Sequence, residues 1–494
     1  MENALKRNFL KGQLTLQLLI FGGVAVIFLA GFLIWLDSAS KSTIRNLDKA
    51  QAFVVAEAGI EYYRWHLAHA PQDFSDGTST PGPYIHDYTD KNGNVLGQFV
   101  LNITPPPFGS SIATIESKGR LNSDPTIEKT IKVRMGIPSF AKFAAVLNEN
   151  VRFGQGTEVF GAVHSNKGVR FDGLAHNLVT SGLTSYDDLD HSDTNLEFGV
   201  HTHVNPPPGT GTTSSFRPLE APPNPVPARP DVFLAGREFP VPTVDFVGIT
   251  QTLAQIKADA QASGFYAPSS TAYGYDIQLK TNNTFDLYRV TSLVASPSAN
   301  CTNSQTQGGG DQSGWGTWSI QSEVFLNNNP IPANGLIFVE DDVWVKGQIN
   351  ASRLTIASAR FPDNPTTRSS ITINDNLLYT NYDGRDVISL LAQKNINIGW
   401  VSQDILRVDA ALMAQNGRVG RYYYNSYCTL YYVRNTITTY GMIASSKRYG
   451  FAYANGTGYQ TRNIVYDSNL LYGPPPSFPL TTDSYQTISW DETK

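Results

Sequence analysis

Residues 11 to 36 read KGQLTLQLLIFGGVAVIFLAGFLIWL, and from Leu14 to Leu36 no side chain carries a formal charge. As a helix this stretch extends about 35 Å, enough to cross a hydrocarbon core about 30 Å thick. It reads as a membrane span. Lys6, Arg7 and Lys11 precede it and Asp37 is the first charge beyond it. The positive-inside bias therefore places the N-terminus in the cytoplasm and the bulk of the chain outside. The expected location is the inner or cytoplasmic membrane, crossed once. A secretory signal peptide has a shorter apolar core ending in a small-x-small site, whereas this run is long and continues into helix-forming sequence.

In that continuation Ala50, Phe53, Ala56, Ile60 and Tyr63 fall at steps of three and four, the spacing that gathers side chains on one helical face. The helix is expected to end near Ala70, ahead of Pro71, about 85 Å from Leu14. A short basic leader ending in Gly12, the apolar span, and an amphipathic continuation containing Ala56-Glu57-Ala58-Gly59-Ile60-Glu61 together resemble the type IV pilus assembly PilX family and minor pilins generally. The resemblance covers residues 1 to about 70. It implies peptidase cleavage after Gly12, with Gln13 as the first mature residue. It also implies assembly with pilin or pseudopilin subunits through a helix that carries Gln17, Gly22, Gly23 and Glu57, the two glycines permitting close helix contact. The family's major subunits carry Glu at the fifth mature position, where this chain has Gln17. That departure suits a minor or terminal subunit better than a bulk polymer.

A chain of 494 residues accommodates two to four domains and a large core. Formal net charge is -5, from 37 basic and 42 acidic residues, and no long basic run follows the leader. Nucleic acid is therefore not an expected partner. Charged residues make up only 16% of the chain, while Tyr, Asn, Ser, Thr and Gly are abundant, a balance that favours a strand-rich exported protein. Cys301 and Cys428 are the only cysteines. Paired outside the membrane, they would close a loop worth up to about 5 kcal/mol in chain entropy; unpaired, they are two separate buried thiols.

After the helix, GQFVLNITPPP from Gly97, SIATIESKGRL from Ser111 and TIEKTIKVRMG from Thr126 alternate apolar and polar residues between turn signals. They predict a small antiparallel sheet over residues 71 to 140, like the head of a pilin or pseudopilin, with Val100, Ile112, Ile131 and Val133 in its core. A generic hairpin domain behind an anchor is the plainer reading. Beyond Pro138 the pattern becomes repetitive. GAVHSNKGVRFDG at 161 to 173 and GLIFVEDDVWVKG at 335 to 347 have glycines bracketing equal lengths, with Val163 matching Ile337, Val169 matching Val343 and Phe171 matching Val345. Further apolar runs begin at Leu354, Ile371, Ile388, Ala411 and Tyr440, about 17 to 30 residues apart, a spacing suited to solenoid coils.

The expected fold is therefore mainly β with one long N-terminal α-helix: a pilin-like helix and small antiparallel sheet, then an interrupted right-handed parallel β-helix. A β-sandwich is the alternative. The divisions are a leader at 1–12, the helix at 13–70, the head at 71–140, first coils at 141–200, an insertion at 201–335, main coils at 336–450 and an extended surface strap at 451–494. The insertion is proline-rich to about residue 242 and is expected to leave the stack and return in register at Gly335. It should carry one amphipathic helix through Val244, Ile249, Leu253, Ile256 and Ala260, stopped at Gly264, and an exposed loop at 301–319.

Five of the eight histidines, His164, His176, His191, His201 and His203, fall between residues 164 and 203. His201 and His203 share one face of an extended segment and are metal-ligand candidates with help from Asp188 or Asp190. Without HExxH or clustered cysteines, however, ordinary polar surface is the favoured reading and no metal is assigned. His176 is expected to hydrogen-bond a solenoid corner. Glu340, Asp341, Asp342, Asp383, Asp386, Asp404 and Asp409 are weighed as glycosidase-type carboxylates and read instead as turn residues or cation-binding corners. Structural Ca2+ is the one cofactor left open. Trp315 and Trp318, with Tyr422 to Tyr424 and Tyr431-Tyr432, are candidates for stacking on sugars. The functional expectation is a non-enzymatic, membrane-anchored structural or adhesive subunit of a type IV pilus or related assembly. Its expected partners are membrane lipid, pilin subunits and a surface polysaccharide. A membrane-tethered polysaccharide-binding or polysaccharide-cleaving protein is the alternative.

Overall fold

The computed structural model describes residues 2–107, 110–139, 141–246, 248–301, 314–480 and 484–493, with side chains of the first helix described from Leu14 and of the second from Leu253. Two compact units emerge: residues 1–106, 113–136 and 484–494 form one, residues 107–112 and 137–483 the other.

The first unit is built on the helix Glu2–His69, which ends just before Pro71, where a proline disfavours further helix. From Leu14 to Leu36 its large apolar side chains are all exposed. The expected cleavage site, Gly12 and Gln13, lies outside the described side chains. Farther along, Ala52, Val55, Ala56, Ile60, Tyr63 and Leu67 are buried against Phe99, Leu101, Ala113, Ile115, Ile131 and Val133. The partner sheet runs in the order Tyr84–Thr89, Val95–Thr104, Ile112–Leu121, Glu128–Gly136, Gln486–Thr493, with antiparallel pairing at the first two junctions and the last. Gly119 explains how closely helix and sheet approach: a Cβ there would lie 2.2 Å from the Ala52 carbonyl oxygen and 2.3 Å from the Ala56 nitrogen.

Three expectations for this unit need correction. Ala50 is exposed and Phe53 only partly buried, so the buried helical stripe runs through Ala52, Val55 and Ala56 instead. Val100 and Ile112 are only half-buried; the core positions are their neighbours Phe99 and Ala113. Both strands carry apolar residues on both faces, and a one-residue shift of phase exchanges them. The C-terminal segment is not a surface strap, because Gln486–Thr493 is the fifth strand, with Trp490 opposite Val133 and its ring 5.5 Å from that of Phe53.

The second unit is dominated by parallel pairing. One row of side chains passes from strand to strand through Phe265, Ile337, Ile356, Leu390, Leu412, Ile443, Ala145, Val163 and Val179. Val343, Ile371, Ile396 and Val419 form a second row. Val163, Val169, Phe171, Ile337, Val343 and Val345 are all buried in the same interior cluster. The strands are covered on their other face as well: Leu336, Phe338, Leu391, Met413 and Met442 pack with Leu253, Ile256 and Ala260 of the helix Gly248–Ser263. Burial on both faces accounts for the near-continuous apolar runs. Ile249, expected on this helix's apolar face, lies outside the described side chains.

The segment 201–335 does not simply leave the sheet. Phe265–Ala267 and Gly274–Lys280 pair in parallel with Leu336–Val339 and Val343–Gln348, and Arg237–Glu238 adds to Val179–Ser181. The strand order also departs from chain order. Ala145–Leu147 lies beside Val433–Ser445, so the two glycine-bracketed segments are not neighbours. Gly458–Tyr466, expected within the strap, pairs with both Val433–Ser445 and Thr157–Phe160. Backbone hydrogen bonding is satisfied by any parallel neighbour of matching pattern, which is why similarity of two coils does not specify adjacency. Cys301 and Cys428 are joined in a disulfide across 127 residues. Of the expected loop at 301–319, residues 302–313 lie outside the described residues.

Candidate functional site

Among the described residues, exposed large apolar side chains crowd the first helix from Leu14 to Leu36. It holds a segment long and apolar enough to cross a membrane, none of it buried. Gln17, Gly22, Gly23 and Glu57 are exposed, and a Cβ on Gly22 or Gly23 would meet nothing within 4 Å. An apolar cylinder of this kind is stable in water only when covered by lipid or by other helices.

A buried polar cluster forms in the second unit over a short span of chain. Ser185–Asp187 and Leu196–Phe198 pair as an antiparallel hairpin with Tyr186 opposite Glu197, which sets Asp188 and Glu197 side by side. The chain then enters Val200–His201, parallel to Val169–Arg170, and His203 follows two residues later on the same face. Asp188, Glu197, His201 and His203 thereby bring four ligand atoms within 4.8 Å of one another, all in buried residues. His201 Nε2 lies 3.5 Å from Asp188 Oδ2 and 3.1 Å from Glu197 Oε2, and His203 Nε2 lies 2.9 Å from Glu197 Oε1. His201 Nδ1 is 3.1 Å from the Phe198 carbonyl oxygen, and His203 Nδ1 is 3.1 Å from that of Thr213.

Around this core His191 Nε2 is 3.1 Å from Glu197 Oε2, the Arg217 backbone N–H donates to Glu197 Oε1, and Arg170 donates to Asp188 and Asp172. Burial works against the charge of both Glu197 and Asp188, and the Arg217 N–H on the first and Arg170 on the second stand against it. Sequence reasoning named His201, His203 and Asp188 and missed Glu197, whose position four residues before His201 was the available signal. Asp190, the alternative ligand, is instead 2.6 Å from Arg448 and 3.6 Å from Arg152. His164 and His176 lie apart, His164 with Thr180 and Asn166, His176 with Glu158.

The other candidates are dispersed. Asp386 accepts the Ser352, Thr380 and Asn381 N–H groups. Asp341 accepts from Ser270, Asp342 from Ser370, Asp404 from Asn435 and Asp409 from Tyr379. Glu340 binds Lys257 and Tyr266, and Asp383 binds Arg385. Trp315 and Trp318 are partly buried, donating to the Tyr423 and Gly314 carbonyls and packing beside the disulfide with Trp400, Tyr422 and Tyr424.

A pair of carboxyls not anticipated from sequence lines an open cleft of about 550 Å³ with Trp344, Lys346, Asn374 and Asp375. They are Asp276 and Glu323. Burial, then the charge of Asp276, pushes Glu323 up to about 7 against the pull of Lys346, whose ammonium lies 3.0 Å from Asp276 Oδ2. A larger cleft of about 610 Å³ carries Arg152, Arg418, Arg448 and Arg462, but those guanidiniums hold Asp172, Asp190 and backbone carbonyls.

No protein-family signature matches the chain, and no curated protein matches it in sequence. Among solved structures it is similar to a competence-associated pilin, ComZ, from Thermus thermophilus, at 16% identity over 90% of this chain and 98% of that one, with a TM-score of 0.32. A score that low does not define a shared fold.

Proposed function

We propose that this chain is a membrane-anchored, surface-exposed, minor-pilin-like structural or adhesive subunit of a type IV pilus or related assembly. The observation that carries this reading is the single helix Glu2–His69, uncovered from Leu14 to Leu36 and then buried from Ala52 to Leu67 on a small sheet. One element thus joins a hydrophobic assembly surface to a folded head. On this reading cleavage follows Gly12, and the uncovered span packs first in the membrane and then among pilin helices, with Gly22 and Gly23 at close contacts. Gln17 in place of a carboxylate fits a subunit used in few copies. The parallel rows of the second unit are taken as coils of an interrupted right-handed β-helix displayed outside, where it meets a surface polysaccharide.

The test is intact mass of the membrane-extracted protein from cells with an active prepilin peptidase, combined with cross-linking from Gly23→Cys. The reading expects loss of residues 1–12 and cross-links to pilin-type helices. An uncleaved chain that cross-links only to lipid would overturn it.

A second reading, polysaccharide cleavage, has one observation in its favour: Glu323, with its raised carboxyl, beside Asp276 in an open cleft. Such a group is still partly protonated at neutral pH, as a general acid must be. Release of reducing ends that stops in Glu323→Gln would establish this activity; no release from any surface polysaccharide would remove it.

A further inference from the structure

We propose that Asp188, Glu197, His201 and His203 bind one divalent transition-metal ion, Zn2+ being the ion that fits the donor set, and that this ion pins the hairpin 185–198 and the segment beyond it to the parallel sheet.

The first argument is a count of hydrogens. A carbonyl oxygen only accepts, so the contacts of His201 Nδ1 with Phe198 and of His203 Nδ1 with Thr213 place the ring hydrogen on Nδ1 in both imidazoles. Each Nε2 then presents a lone pair, and the two face different oxygens of Glu197, a carboxyl that accepts the Arg217 N–H on one of them and has at most one hydrogen to give. Lone pairs opposed at 2.9 and 3.1 Å need a cation between them. Protons on both Nε2 atoms would serve if the N–H bonds pointed at the carboxylate. They do not: both atoms are buried with no hydrogen-bond partner, despite the short separations.

A count of charge leads to the same place. Five acidic side chains, Asp172, Asp188, Asp190, Asp193 and Glu197, sit within or against the cluster; three guanidiniums, Arg152, Arg170 and Arg448, pair with the first three of them, and the more exposed Asp193 lies 3.5 Å from His191. Among the described residues Glu197 has no side chain of the opposite fixed charge beside it, only His191, His201 and His203. Its side chain is 0% exposed. A buried carboxylate without a compensating cation is strongly unfavourable.

Ligand chemistry then selects the ion. Two borderline imidazole nitrogens beside two hard carboxylates make a mixed set that Zn2+ and its neighbours accept, whereas Ca2+ takes oxygen ligands. A tetrahedral Zn2+ with ligands about 2.0 to 2.1 Å away needs ligand atoms about 3.3 Å apart; His201 Nε2 lies 3.5 Å from Asp188 Oδ2 and 3.1 Å from Glu197 Oε2, His203 Nε2 lies 2.9 Å from Glu197 Oε1, and one atom from each of the four residues lies within 4.8 Å of the others. The second layer is also in place: both imidazoles are oriented through Nδ1 by backbone carbonyls, Asp188 by Arg170, and Glu197 by His191 and the Arg217 N–H. Four protein ligands in a buried pocket are the arrangement of a structural rather than a catalytic ion. This site stands apart from any role of the N-terminal helix.

The experiment uses the full chain, extracted in detergent, stripped with a chelator and dialysed against Zn2+ or Co2+. One ion per chain is expected to remain, with the visible ligand-field bands of tetrahedral Co2+ and a higher thermal midpoint than the stripped protein. The variant His201→Ala/His203→Ala should lose the ion, and His191→Ala should weaken binding about 10-fold or more. His176→Ala should bind normally. Should the double variant fail to fold, X-ray absorption on the Zn2+-loaded native chain decides the matter, two imidazoles and carboxylate oxygen being expected in the first shell. Failure of the native chain to retain either ion, retention unchanged in a folded double variant, or a first shell without two imidazoles would each overturn the proposal.

Discussion

The two sheets of this molecule bury their residues in different ways. Along Ile112–Leu121 of the first unit, half-buried and buried positions alternate without a break; along Val387–Ala392 of the second, every position is buried. The cause is what lies on the two faces. The antiparallel sheet has the helix on one side, so alternate residues meet it and the rest face outward. The parallel strands have an apolar interior on one side and Leu253, Ile256, Ala260 and their neighbours on the other. Sensitivity to substitution should therefore depend on strand phase in the first sheet and be independent of phase in the second.

The sharpest way to break this contrast is a pair of adjacent changes in the second unit. Leu390→Asp and Leu391→Asp each place a charge in a fully buried site, on opposite faces, and each is expected to cost more than about 4 kcal/mol. Calorimetric unfolding of the detergent-extracted chain measures both. Tolerance of Leu391→Asp would mean that the outer face is open and that the parallel sheet is one-sided like its counterpart.

In the first unit, Ile60→Asp, at 3% exposure, should cost about 3 to 4 kcal/mol, while Ala50→Asp, exposed ten residues earlier, should stay within about 0.5 kcal/mol. Equal losses would mean that the helix meets the sheet along a different stripe. Cys428→Ser opens the 127-residue disulfide loop and should lower the stability of the second unit by about 2 to 4 kcal/mol. An unchanged midpoint under reducing conditions would place the stabilisation wholly in the apolar rows.

A smaller effect is expected from pH. Glu323 has a folded value of about 7 against the usual 4.5. Between those values the folded chain holds a proton that the unfolded chain has released, so stability falls as pH rises through this window and is unaffected below it. Glu323→Gln should remove that part of the slope, read as the difference in melting temperature between the two ends of the window; an unaltered slope would show that the carboxyl is not raised. Least of all should Val100→Thr matter, with less than about 0.5 kcal/mol lost from a half-buried position. A larger loss would close the open face of the antiparallel sheet.

What could be read from the chain alone was whatever depends on near neighbours. The length and apolarity of Leu14–Leu36, the helix end ahead of Pro71, and three of the five head strands are properties of short windows. So is the inward set Val163, Val169, Phe171, Ile337, Val343 and Val345, because hydrophobic transfer and strand period act residue by residue. Three of the four members of the buried histidine and carboxylate cluster were visible too, as His201 and His203 close to Asp188. The rest depended on which segments meet. Phe99 rather than Val100 is core because of where the helix lies, and Glu197 joins the histidines because a hairpin sets it opposite Tyr186. Ala145 lies beside Ile443 across nearly three hundred residues of chain, and Gln486–Thr493 returns to close the first sheet. A backbone hydrogen bond carries no record of the partner's identity, so adjacency among similar strands is decided only when the whole chain packs and every face, edge and buried charge has to be satisfied together.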